Sequence, residues 1–156
     1  MRSQTLISLF AALALAFSSC ANPKPTPPPA AIATTTALEM RLEVAPGETP
    51  AAQMDYEGRT LRLGPPVRFD LERLYVTSDA LGRPAVGFEL TEEAATRLRD
   101  WTRSSLNRGL AVVVGDKIIT HARIVSELSG RGILQGGSRG FTAERCEEII
   151  AELEER

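Results

Sequence analysis

The chain has 156 residues, and 18 Lys+Arg against 20 Asp+Glu give a net charge of −2. That balance lacks the electrostatic footprint of a nucleic-acid binder or of a protein drawn to anionic lipid. The length suits one folded domain once the first few dozen residues are set aside.

Arg2 is the only early charge, and an uncharged apolar run from Leu6 to Phe17 leads to Ser18, Ser19 and Cys20. This is the order of regions in a secretion signal, predicted over residues 1–20. The run is shorter than the about 20 apolar residues that span a bilayer, and no later stretch approaches that length. Small residues directly before a cysteine resemble the lipobox of bacterial lipoproteins, in which Cys20 becomes the acylated first residue. Phe17 stands where a lipobox usually has Leu, and Ser19-Cys20-Ala21 could instead serve as an ordinary cleavage site that discards the cysteine. The lipobox is the favoured reading, so Cys20 is the expected lipid-attachment residue. Each buried methylene of its acyl chains would add about 0.8 kcal/mol to anchoring.

Residues 21–37 read as a Pro/Ala/Thr-rich linker, with five prolines (Pro23, Pro25, Pro27, Pro28 and Pro29) in a composition that favours extended polyproline II. At about 3.1 Å per residue it could hold a domain on the order of 50 Å from its anchor.

The folded domain is predicted over 38–156. Leu38, Met40, Leu42 and Val44 alternate with charged residues, the pattern of a half-buried strand, ended by Pro46-Gly47. Ala45 to Asp55 reads as loop. Thr60 to Leu63 follows the Glu57-Gly58 turn as a short strand, and Leu74 to Val76 reads as extended. After the Gly82-Arg83-Pro84 turn, Ala85 to Leu90 is a strand, and Thr91 caps a helix to about Asn107 whose first turn carries Glu92 and Glu93. Its inward side is predicted to hold Ala94 or Ala95, Leu98, Trp101 and Leu106, with Gly109 as the left-handed stop. Leu110 to Val114 is a central strand, turned through Gly115-Asp116 into Lys117 to Ile119. Ile124 to Leu128 is extended or irregular, Gly132 to Gln135 is a strand, and a glycine-rich turn opens onto a last helix from Thr142.

Little of this carries catalytic chemistry. His121 is the only histidine, which rules out a multi-histidine metal site, and no carboxylate stands at an obvious spacing from it, so a structural role is expected. Gly136-Gly137-Ser138-Arg139-Gly140 suggests anion binding, but it matches neither the Walker pattern nor Gly-x-Gly-x-x-Gly, and a tight turn needs such glycines anyway. The glutamates of the last helix, Glu144 to Glu155, read as a solvated face, and the ligand spacing of a calcium loop is missing. Cys146 falls on the helix's apolar stripe and is expected to be a buried hydrophobe. No catalytic, cofactor or metal residue is assigned.

Gly82-Arg83-Pro84-Ala85-Val86-Gly87-Phe88-Glu89-Leu90, the capped helix, Gly109-Leu110-Ala111-Val112-Val113-Val114 and the turn into Phe141-Thr142-Ala143-Glu144 together resemble the head subdomain of SecD, a subunit of the bacterial protein-export machinery. Leu38-Glu39-Met40-Arg41-Leu42 resembles the segment by which the SecD chain enters this region. The family usually turns its hairpin with Asp-Gly where this chain has Gly115-Asp116, and usually has proline at the place of Arg123.

The fold expected is a small α+β domain, a mostly antiparallel sheet with two helices packed on one face. The resemblance implies a non-enzymatic binding or interaction module on the extracytoplasmic side of a membrane. Its implied partners are unfolded or exported polypeptide or Sec translocase components, with the membrane held through the lipid anchor. SecD's proton coupling depends on a membrane domain whose intramembrane ionisable groups this sequence does not contain. Two rivals are an envelope scaffold that reuses the fold without a role in translocation, and an enzyme built on a buried cluster of His121 with a carboxylate.

Overall fold

The computed structural model describes residues 36–155; the predicted signal, Cys20 and nearly all of the predicted linker lie outside them. Eight strands and two helices follow in chain order: β1 Ala37–Leu42, β2 Ala52–Tyr56, β3 Arg59–Leu63, β4 Val67–Ser78, β5 Pro84–Leu90, α1 Glu92–Arg103, β6 Gly109–Val114, β7 Lys117–Arg123, β8 Arg131–Leu134 and α2 Ala143–Glu154. Six of the strands form one antiparallel sheet in the order β7-β6-β1-β4-β5-β8, while β2 and β3 pair as a separate hairpin. The first strand begins at Ala37, one residue earlier than expected.

Period-two alternation gives the sheet two unlike faces. Leu38, Met40 and Leu42, Phe69 and Leu71, Val86, Phe88 and Leu90, and Leu110, Val112 and Val114 point to one side, where both helices close the main core. From α1 come Ala94, Leu98 and Trp101; from α2 come Cys146, Ile149 and Leu153. The α+β expectation, two helices on one face of an antiparallel sheet, is therefore met. On the opposite face Leu61 and Leu63 of the hairpin pack on Ala111, Val113 and Ile118, a second and smaller core.

Two bulges bend the sheet. The pairing of β4 with β5 slips between Leu71 and Arg73, and that of β6 with β7 slips at Val112/Val113, leaving Ile119 as the extra residue. A bulge adds local twist to its strand, and here the outermost strands are brought round toward each other. Thr120 Oγ1 of β7 donates to the carbonyl of Gln135, just beyond β8, at 2.8 Å although the two strands stand at opposite ends of the sheet order.

Several expectations are corrected. Residues 52–55, read as loop, belong to β2, whose inward groups Ala52, Met54 and Tyr56 are only half buried and give weak alternation. β4 is twelve residues long where only Leu74 to Val76 was expected, because the bulge at Glu72 interrupts an otherwise regular pattern. Helix α1 stops at Arg103; Leu106 lies beyond it and is 46 % exposed, so it is not part of the inward stripe. The left-handed residue after α1 is Asn107 (φ 68°), a role asparagine tolerates, and Gly109 is already in β6. Thr91 and Thr142 cap the two helices, each side chain accepting an N–H three residues on. No helix among the described residues is long and apolar enough to cross a membrane.

Candidate functional site

Because the curled sheet stops short of closing, a seam remains between the outer edge of β7 and the turn that follows β8. One side is β7 from Lys117 to Ile119, and the other is the glycine-rich segment 136–141, enclosing a groove of about 370 Å³. The tip of the β2–β3 hairpin, Asp55 to Glu57, forms a third wall.

The glycine-rich turn is fixed from two sides. Ser138 donates both its backbone N–H and its hydroxyl to Glu57 Oε1, each at 2.8 Å, which ties the turn to the hairpin tip. These two hydrogen bonds from Ser138, the backbone one foremost, hold the Glu57 carboxyl below its ordinary value of 4.5. From the other side Arg83 reaches the Ser138 carbonyl, and Asp79 orients Arg83 with one carboxylate oxygen at 2.8 Å from Nε. Gly136 has no room for a side chain, since an added Cβ would stand 2.5 Å from the Gly140 carbonyl carbon.

A pH prediction follows for the Glu57 tie. A carboxylate whose folded value is depressed adds stability above its unfolded value, and that contribution disappears as pH falls through the folded one. The Glu57 side-chain carboxyl carbon, followed by NMR, should titrate with a midpoint below 4.5, and Ser138→Ala should raise the midpoint only part-way because the backbone donor remains. A midpoint at or above 4.5 would show that the tie does not form in solution.

His121 lies behind the seam, on the same side of the sheet as the hairpin. Arg59 Nη2 is 3.1 Å from its Nδ1, and Glu43 Oε2 is 3.3 Å from its Nε2. The carboxylate does not meet Nε2 in hydrogen-bond geometry, so this buried ring nitrogen has no hydrogen-bond partner among the described residues. A carboxylate beside His121 was not expected from the sequence. Strand β6 separates β1 from β7, and Glu43 reaches across it through the space left by Gly109, where a Cβ would collide with Glu43 and stand 2.7 Å from His121 Nε2. This arrangement does not supply a nucleophile with its base: the Ser138 hydroxyl is given to Glu57, and both ring nitrogens of His121 face Arg59 and Glu43. Burial, with the Glu57 carboxylate second, pushes the Tyr56 phenol up. Cys146 is buried in the main core, which raises its thiol, as expected of a packing residue.

The model of one family, the SecDF P1 head subdomain, matches residues 69–154, more than half of the chain. The chain belongs to the SecDF P1 head subdomain family. The protein translocase subunit SecD of Aquifex aeolicus is 38% identical to it over 80 residues, which are 51% of this chain and 15% of that protein. SecD of Sebaldella termitidis is 31% identical over 80 residues, 51% of this chain and 19% of the relative. SecD of Thermobaculum terrenum is 30% identical over 111 residues, 62% of this chain and 21% of the relative. The chain thus spans about a fifth or less of the length of these curated relatives.

Two solved structures share the fold. SecDF in its Super-membrane-facing form gives a TM-score of 0.59 at 24% identity, with 78% of this chain and 19% of that one covered. A SecDF described as a membrane component that enhances protein export gives the same TM-score and identity, with 78% and 63% covered. The shared fold extends beyond residues 69–154, in keeping with the resemblance noted at Leu38 to Leu42.

Proposed function

We propose that this protein is a non-enzymatic interaction module of the cell envelope, held at the extracytoplasmic face of a membrane and accessory to protein export. Its signal would occupy residues 1–20, its lipid anchor Cys20, its spacer residues 21–37 and its binding domain the remainder. The observation that carries the reading is the P1 head match over residues 69–154, joined to relatives that are translocase subunits. The order of the sequence agrees with it, since an export signal and a proline-rich spacer would place a head-like domain where polypeptides emerge. An open sheet edge gives such a domain a general means of holding extended chain, by strand addition.

The test is capture from solubilised native membranes after mild crosslinking, with direct binding of unfolded polypeptide to the purified full chain. Recovery of translocase subunits or of secreted polypeptides in transit is the expected result, with polypeptide affinity in the micromolar range at about −8 kcal/mol or weaker. Structural envelope proteins without either partner, together with no polypeptide binding, would overturn the reading.

A further inference from the structure

We infer that His121 is a proton-operated latch for the β2–β3 hairpin: on gaining a second ring proton it gives up Arg59 for Glu43 and lets the hairpin tip part from β7. This device goes beyond the export reading and does not depend on it. A guanidinium has N–H donors and no acceptor, so Arg59 Nη2, 3.1 Å from Nδ1, can bond to that nitrogen only while it carries a lone pair. The neutral ring therefore holds its one proton on Nε2, the buried nitrogen that has no hydrogen-bond partner and stands 3.3 Å from the Glu43 carboxylate. Protonation places an N–H on Nδ1 as well. Two donors and two like charges then face each other at Arg59, while the imidazolium and Glu43 attract across Gly109. A single proton weakens the tie to the hairpin and strengthens the tie to the residue that follows β1.

The hairpin can respond at its tip because its backbone is joined to the sheet at the other end. Among the described residues β2 and β3 pair with each other and meet the main sheet at the Glu43–Leu63 bridge, where the Val44 N–H donates to the Arg62 carbonyl at 2.9 Å. Glu57, Gly58 and Arg59 at the tip are exposed, and side chains hold them: Arg59 on His121, and Glu57 on Ser138. The other groups near the ring do not take up the proton in its place. The Tyr56 ring lies 6.0 Å from the imidazole, and its phenol, pushed up by burial, keeps its proton throughout. Glu57, held low by the Ser138 hydrogen bonds with Arg139 adding to them, stays ionised where an imidazole titrates. Asp55 accepts the Thr60 hydroxyl, and Arg108 is turned to the Glu43 carbonyl and Glu48. Arg123 shares the face of β7 with His121, and β6 sets only Gly109 and Ala111 opposite them. Released by His121 and still held by Ser138, the tip stays with the glycine-rich turn, so the groove widens on its β7 side.

His121 is the only histidine, so its ring signals need no assignment. In the full chain, long-range proton–nitrogen NMR at about pH 8 should show Nε2 protonated and Nδ1 bare. Hydrogen exchange of the β2–β3 amides, corrected for intrinsic rates, should rise about threefold as the pH falls to about 5, the scale of losing one exposed tie. The rise should share the midpoint of the His121 ring, and the amides of β4 and β5 should not follow it. Arg59→Gln supplies a side chain that donates to the neutral ring and accepts from the charged one, so the hairpin should keep its protection and lose its pH dependence. His121→Phe, which has no proton to gain, should remove the pH dependence as well. The opposite tautomer, or hairpin protection that is equal at both ends of the range, overturns the latch. So does a rise that persists in either variant or departs from the ring's midpoint.

Discussion

Phe69→Ala is expected to destabilise the domain by about 3–5 kcal/mol, the range for truncating a fully buried aromatic side chain. Phe69 is 0 % exposed and sits on the helix-facing side of β4, between the sheet and α1. Its ring centroid lies 5.5 Å from that of Trp101 in a tilted arrangement, and the Arg97 guanidinium carbon lies 5.5 Å from its centre. Truncation thus removes a ring pair and a cation–π contact along with the buried area, and leaves a cavity under a helix that holds few other large buried groups. Urea unfolding followed by circular dichroism measures the loss without relying on Trp101, whose emission the substitution itself would change. A loss under about 1 kcal/mol would mean that α1 does not rest on β4 as described.

Ile149→Ala is expected to cost about 2–5 kcal/mol, and its effect should be concentrated in α2. The buried side of α2 consists of Cys146, Ile149 and Leu153, with Ile150 partly buried beside them, while Glu144, Glu147, Glu148, Glu154 and Glu155 are exposed. That glutamate-rich face keeps the helix solvated and adds little attachment, so the helix depends on three side chains. Hydrogen exchange should show α2 amides losing protection ahead of those in β4 and β5. Loss of protection spread evenly over the sheet, with α2 no worse than the rest, would contradict this.

How far these features could be read from the sequence depended on whether a local pattern determined them. The run Leu110 to Val114 followed by Gly115-Asp116 requires a buried strand and a tight turn, and the structure pairs Val114 with Lys117 across that two-residue turn. The helix cap at Thr91 was equally legible, because a hydroxyl before an acidic first turn is a local signal; the last helix was expected from Thr142, which the structure makes its cap. β2 and the length of β4 were hidden for opposite reasons. The former has hardly any buried side chains of its own, and the latter has them in a register broken by a bulge.

The seam was less legible still. Glycines at 136, 137 and 140 marked a turn, but that the turn faces β7 follows from the curl of a sheet whose terminal strands are distant in the pairing order. The Glu43–His121 contact depends on Gly109 lacking a side chain between two strands, a condition no spacing rule along the sequence reveals.

The most direct test of an export role is photo-crosslinking in the native cell from a probe residue placed at position 139, while a secreted protein is arrested part-way through translocation. The expected result is an adduct between this chain and the arrested polypeptide that disappears when the polypeptide is released. Adducts with other envelope proteins alone, unchanged by the arrest, would contradict it.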